Sequence, residues 1–367
     1  MQTEQVALTP GPMSGSRHLT VYRFGTPGAR PRVYIQGGLH ADEAPGMLVG
    51  FSLRDSLAKL EAEGRIKGEV LLVPLANPIG LDQGVVGGSF GRFEATSGQN
   101  FNRNFPDAAA LALAADDRAP GNDPVAELRT RLAAGLDALQ PRSPIGALQR
   151  ALLRMAIDAD IVLDMHCDSE AVTHIYCHAE QTEEAARLGH ATGSGAVLHA
   201  EVQGGRSFDE ACTLPWVALR ERFQIDLPIA CFAVTLEWRG VLDTCPDEAR
   251  RDAEAVISWL AHTGCIEGPA GQSRGEGAAP TPLAAVEVVS APAPGLFHAC
   301  VEPGARVQAG TRLGTVKSFP DGQDIAIHAS TEGVLYAREQ MRIVRAGTDL
   351  FFVAGQKPLR QGMLLGA

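Results

Sequence analysis

The sequence predicts an α/β fold, and three observations carry the prediction. Apolar runs of strand length recur at residues 32–38, 68–76, 159–167, 173–178 and 229–238, and between them lie helical periodicities at about 46–61, 124–139, 145–157, 180–190 and 246–261. Several runs, "VLLV" (70–73) among them, are apolar on both faces, so helices are expected to cover the sheet on both sides. Polar residues gather where the runs stop, as in "QGGLHADE" (36–43) and "LDMHCD" (163–168). Open α/β sheets carry their ligand-binding groups at such strand ends.

The first run, "RVYIQGG", breaks at two glycines and releases the chain into a helix from Gly46. In "NDPVAEL" Asp123 precedes a proline at the first helical position, a favourable helix start. The helix at 246–261 follows Asp243 and Thr244, either a suitable N-cap, with Pro246 in the first turn and Glu248 in the field of the helix start. At "GPAGQSRGEGAAPTP" (268–282) the periodicity ends, which marks a linker between a catalytic-type domain of residues 1–267 and a small β domain of residues 283–367. Two similar halves follow, 293–316 and 331–353, sharing a leading glycine and then "VQAGTRL" against "VRAGTDL". Each is too small to bury its own apolar face, so the pair predicts two interlocked halves of one barrel or sandwich.

With 367 residues, 45% hydrophobic and 20% charged, the chain has ordinary globular composition. Its formal charge of −11, without a Lys/Arg block, argues against nucleic acid and anionic membrane as partners. A homo-oligomer is left open. The start "MQTEQVALTPGPMSGS" has no leader-like pattern and no run is long enough to span a membrane, so a cytoplasmic location is expected. Seven scattered cysteines with no CxxC pair read as reduced thiols, Cys167 being expected to point away from His166 into the core.

His40 and Glu43 form an HxxE pair just past a strand end, and His166 ends another strand at an equivalent place. Together they can supply three ligands to a catalytic zinc that keeps a position open for water. Asp164, two residues before His166, shares its strand face and can anchor an imidazole. Glu237, in "FAVTLEWRG", is a costly carboxylate in an apolar strand unless it has a task. It can take a proton from a metal-activated water and pass it to a leaving nitrogen, or simply pair with Arg239. In "GQNFNRNFPD" (98–107) Arg103 offers a planar fork for a carboxylate and Asn102 an amide donor. Arg92, in "GVVGGSFGRF", is a second cation for charge developing on a carbonyl oxygen. Tyr176 either reaches substrate or packs in the sheet.

In this order "GGLHADE", "NFNRNF", "LDMHCD" and "TLEWRG" make the chain resemble the succinylglutamate desuccinylase and aspartoacylase family, deacylase relatives of zinc carboxypeptidases, over roughly residues 30–262. The resemblance implies a mixed, mainly parallel eight-stranded sheet flanked by helices. It also implies one zinc ion on His40, Glu43 and His166, with Glu237 as general base and acid. Asn102 and Arg103 would hold a substrate carboxylate and Arg92 would stabilise the oxyanion. The substrate would be a small N-acyl amino acid or related carboxylate.

The C-terminal halves resemble the lipoyl and biotinyl carrier fold, but the corresponding turn, "KSFPDGQD" (317–324), has no lysine at its tip. The domain is therefore expected to narrow the mouth of the zinc site. Two other readings stand beside the deacylase: a metallocarboxypeptidase acting on short peptides, and a non-catalytic metal-containing binding protein.

Overall fold

Along β3 (Arg32–Gly37) side chains alternate between two cores: Val33 and Ile35 join one cluster with Leu163 and Val234, while Tyr34 joins the other with Val162 and Ala233. A strand so divided must be covered on both faces. The computed structural model describes residues 1–8, 17–85, 88–268, 274–275, 277–359, 362 and 364. Truncating a buried leucine such as Leu163 to alanine would cost about 2–5 kcal/mol.

Before β3 come β1 (Gln2–Ala7) and β2 (His18–Gly25), an antiparallel pair at one edge that the sequence reading did not predict. Then follow α1 (Ala44–Ala62), β4 (Glu69–Val73), the short α2 (Pro78–Leu81), and the two-residue strands β5 (Gly84–Val85) and β6 (Gly88–Ser89). Residues 86–87 of the glycine-rich loop lie outside the described residues. Three helices come next: α3 (Ala108–Ala115), α4 (Pro124–Ala138) and α5 (Pro144–Ala156). The Asp107, Asp123 and Ser143 side chains cap them, each accepting a backbone N–H of the first turn.

The chain continues through β7 (Ile161–Asp168), β8 (Glu170–Ala171), β9 (His174–His178), α6 (Thr182–Thr192), β10 (Ala196–Ala200) and α7 (Phe208–Phe223). The main unit closes with β11 (Phe232–Gly240), α8 (Pro246–His262) and β12 (Pro280–Pro282). The large sheet runs β1-β2-β4-β3-β7-β11-β9-β10-β12. Its centre is parallel, with β2 antiparallel to β4 and β11 antiparallel to β9.

Among the described residues the large sheet has nine strands where eight were expected. The ninth, β12, comes from the segment read as a linker and pairs with β10, its two prolines tolerated because it lies at the sheet edge. Residues 269–273 and 276 of that segment lie outside the described residues. The start of α8 also differs: Cys245 is the N-cap, and Asp243 instead accepts the Gly240 N–H within the preceding turn.

Beyond β12 the strands are short: β13 (Val286–Ser290), β14 (Gly295–Ala299), β15 (Arg306–Val307), β16 (Arg312–Ser318), β17 (Asp324–His328), β18 (Gly333–Arg338), β19 (Ile343–Val344) and β20 (Asp349–Ala354). They form two sheets, β13-β20-β18-β15 and β17-β16-β14-β19, around Phe297, Leu313, Leu335 and Phe351. The repeated halves exchange their short middle strands: β15 of the first joins the sheet of the second, and β19 of the second joins that of the first. Neither half buries its face alone. This unit docks on the large one where β8 pairs with β18, Val172 N–H donates to the Tyr336 carbonyl at 2.9 Å, and Glu170 meets Arg338 and Arg342.

Candidate metal centre

Gly46 sets the approach of α1 to β7, since a Cβ there would stand only 2.7 Å from the Met165 carbonyl oxygen. This close packing brings Glu43, the residue before α1, between the ends of β3 and β7. His40 Nδ1 then lies 2.8 Å from Glu43 Oε1, and His166 Nδ1 lies 2.7 Å from Glu43 Oε2. All three side chains are buried.

Hydrogen-bond partners fix which ring nitrogens face the carboxylate. Asn100 Oδ1 accepts the Asn102 backbone N–H at 2.8 Å, so that atom is the oxygen, and His40 Nε2, 2.9 Å from it, donates. His166 Nε2 donates in the same way to Asp164 Oδ2 at 2.9 Å. In their neutral forms both rings therefore turn a bare Nδ1 lone pair toward the two Glu43 oxygens. The three residues' candidate ligand atoms lie within 4.8 Å of one another, a donor set able to hold a cation.

The electrostatics agree. Burial lowers the His40 pKa and favours the neutral, ligating form. Burial alone would raise the Glu43 carboxyl, but His40 and His166 outweigh it and hold it well below the usual carboxylate range. Burial also disfavours charge on His166, yet the Asp164 and Glu43 carboxylates override it and raise its pKa well above the ordinary value. Two carboxylates around His166 thus hold a positive charge where a metal would supply one.

Arg92 reaches this cluster, its Nη1 donating to Glu43 Oε1 at 3.1 Å and standing 3.3 Å from His40 Nδ1. Glu237 lies beside His166 in the β11–β7 register. Burial pushes its carboxyl well above the ordinary range, with Glu43 and Asp168 adding to the effect against His166 and Arg92. Its Oε2 is buried with no hydrogen-bond partner among the described residues. Arg239 does not pair with it. A bulge and a φ of 58° turn Arg239 toward Asp252 on α8, with Nη2 2.6 Å from Oδ2.

A cavity of about 270 Å³ opens over these groups. Asn102, Arg103 and Tyr176 line it. Asn102 Oδ1 accepts the Phe208 N–H at 2.8 Å, the start of α7, while its Nδ2 stands 3.3 Å from His166 Nε2. Arg103 Nη1 donates to the Asn102 carbonyl at 2.8 Å, and burial lowers its pKa, as does the nearby Arg92. Gly205 makes room for it: with φ at 78°, a Cβ there would stand 2.4 Å from Arg103 Cδ. Burial raises the Tyr176 phenol well above its ordinary pKa, so it stays protonated.

Cys167 is buried, as its alternation with His166 implies. It also lines this cavity, and its backbone N–H donates to Glu43 Oε2 at 3.2 Å. Asn100, which orients His40, sits in a motif noted for its asparagines but was not singled out. Asp349 and Phe352 of β20 also line the cavity. Nothing local in the C-terminal repeat marks them, because their role depends on how the small β unit docks.

The sequence model of the succinylglutamate desuccinylase/aspartoacylase catalytic domain matches residues 29–263. Among solved structures, a succinylglutamate desuccinylase/aspartoacylase family protein from Shewanella amazonensis SB2B shares 25% identity, covering 96% of this chain and 98% of that one with a TM-score of 0.82. A succinylglutamate desuccinylase/aspartoacylase from Shewanella frigidimarina NCIMB 400 shares 24% identity over 96% and 97%, with a TM-score of 0.81. The product-bound ectoine utilization protein EutE (DoeB) from Ruegeria pomeroyi shares the fold at 18% identity over 97% and 95%, with a TM-score of 0.66. No curated protein matches the chain.

Proposed function

Because the chain belongs to the succinylglutamate desuccinylase/aspartoacylase family, we propose that it is a zinc-dependent deacylase cleaving the amide bond of a small N-acyl amino acid or related carboxylate. It is a metal-dependent hydrolase acting on carbon–nitrogen bonds other than peptide bonds. The convergence of His40, Glu43 and His166 is the observation that carries this reading. Two imidazole nitrogens and a carboxylate suit one zinc ion per chain better than calcium or magnesium, which prefer all-oxygen shells. When bound, the ion polarises the substrate carbonyl and makes water a stronger acid.

The chain's own side chains supply the rest. Glu237, whose buried carboxyl binds a proton tightly, accepts the proton of the attacking water from its ionised form and then delivers it to the leaving nitrogen as the C–N bond breaks. Arg92 stands beside Glu43 and offers its remaining N–H groups to charge growing on the carbonyl oxygen. Arg103 gives the substrate carboxylate a planar partner, and Asn102 holds that loop to the start of α7. Tyr176 borders the substrate.

We read residues 283–367 as a carrier-type β unit that caps the site, joined to residues 1–267 through 268–282, whose last three residues pair with β10 of the large sheet. Its exchange of short strands supports the likeness, and Lys317, paired with Asp324, is no free attachment point. The small cavity and its β20 wall favour small acylated acids over peptides. Among the described residues no helix is long and apolar enough to cross a membrane. Seven free cysteines, five of them buried, support placing the protein in the cytoplasm.

A panel of N-acyl amino acids, short peptides and esters, assayed with zinc-loaded and chelated protein, tests the reading. Metal-dependent release of a carboxylic acid from an N-acyl amino acid is expected. Cleavage confined to peptides would favour a carboxypeptidase, and a stoichiometric metal without any hydrolysis would favour a binding protein.

A further inference from the structure

Behind His166 runs a buried line of polar groups that the reaction does not consume. Gln36 of β3 lies opposite Asp164 of β7 in the strand register, and its Nε2 donates to Asp164 Oδ1 at 2.9 Å. Tyr34, two residues earlier on the same face, donates its hydroxyl to Gln36 Oε1 at 2.9 Å. Tyr34, Gln36 and Asp164 have no exposed surface.

The direction of this line is forced. A carboxylate only accepts, so Gln36 must present its NH₂ to Asp164, which leaves its oxygen facing Tyr34, and the phenol must donate. Burial raises the Tyr34 pKa well above ordinary, with the Asp164 charge adding to it, so the donor is permanent. With Oδ1 occupied by Gln36, Asp164 turns Oδ2 to His166 Nε2, and the opposite ring edge is aimed at Glu43. We propose that Gln36 and Tyr34 are positioning residues for the metal centre: held two and three hydrogen bonds from His166, they lock the ring orientation that presents Nδ1 to the ion.

The Tyr34 ring also packs 5.8 Å from that of Phe208, whose N–H holds Asn102 beside His166. Metal ligand and substrate loop are thereby fastened to the same tyrosine. Groups that orient a ligating histidine typically change metal affinity by about 10- to 100-fold when removed.

The inference rests on the metal reading above, and zinc affinity separates the two. Competition with a chromophoric chelator is measured on wild type, Gln36→Met and Tyr34→Phe, with melting of the metal-free proteins alongside. Gln36→Met is expected to weaken zinc binding by ~10- to 100-fold. Tyr34→Phe, which keeps the ring packing, is expected to weaken it by a smaller factor and decides the question alone if Gln36→Met does not fold. Variants that melt lower but bind zinc like wild type would overturn the inference, since a purely structural pair would act that way. A wild type that binds no zinc would instead overturn the metal reading.

Discussion

Glu237 sits directly across from His166 in the parallel pairing of β11 with β7. One strand register therefore sets the distance between the proposed proton carrier and a proposed metal ligand, with no loop intervening. Glu237→Gln preserves shape and burial but removes the base. We expect it to retain zinc and to lose kcat by about 10²- to 10⁴-fold with little change in KM, as read by steady-state kinetics and metal analysis.

Chelation should abolish turnover and also lower the melting temperature, because an ion bound only by the folded chain stabilises it. In His40→Ala both the activity and the zinc-dependent rise in melting temperature should disappear. A His40→Ala protein that still melts higher with added zinc would place the ion elsewhere.

Gly205→Ala is expected to act on substrate binding. The new methyl collides with Arg103 Cδ, and the left-handed backbone adds strain of ~1 kcal/mol. With Arg103 displaced, KM for a carboxylate-bearing substrate should rise by ~10- to 100-fold. Zinc content should not change.

Asp209, at the buried start of α7, gives a stability prediction. Burial and the neighbouring Glu210 push its carboxyl from the ordinary 3.8 up to about 6. The folded state therefore holds this proton more tightly than the unfolded chain does. The stability that the proton confers is complete below pH 3.8 and is lost as pH rises through about 6. Asp209→Asn removes the dependence, with Gln203 turning its amide to suit. Relative to this variant, the wild type should lose on the order of 3 kcal/mol between acid and neutral pH, read from denaturant midpoints.

Phe352→Ala enlarges the cavity from the side of the small β unit. Its kcat/KM should shift toward substrates with bulkier acyl or side-chain groups, by ~10- to 200-fold per group accommodated. An unchanged preference would show that this wall does not meet substrate.

The central strands were legible because each is an uninterrupted apolar run ending in polar residues, and His40, Glu43, His166 and Glu237 all lie at such ends. β1, β2 and β10 were missed. β1 and β2 are rich in Thr, Gln, Arg and His, and in β10 the apolar run "AVL" is only three residues long before His199. α7 was hidden by Pro215 within it, although its capping box, Ser207 with Glu210, stands in the sequence. Arg239 misled for a different reason: alternation puts it on the face of Glu237, but the bulge breaks alternation. Contacts between distant segments, such as Asn100 with His40, have no local pattern at all.

β8 begins four residues after His166, and through Glu170 it grips the same unit whose β20 walls the cavity. The three proposed metal ligands and the proposed proton carrier come wholly from the large unit, whereas Asp349 and Phe352 come from the small one. A chimera with a relative's small unit would keep these groups and receive a foreign wall, provided it offered arginines to Glu170 at the places of Arg338 and Arg342. Substitution within β20 can thus reshape one wall of the cavity while leaving His40, Glu43, His166 and Glu237 in place.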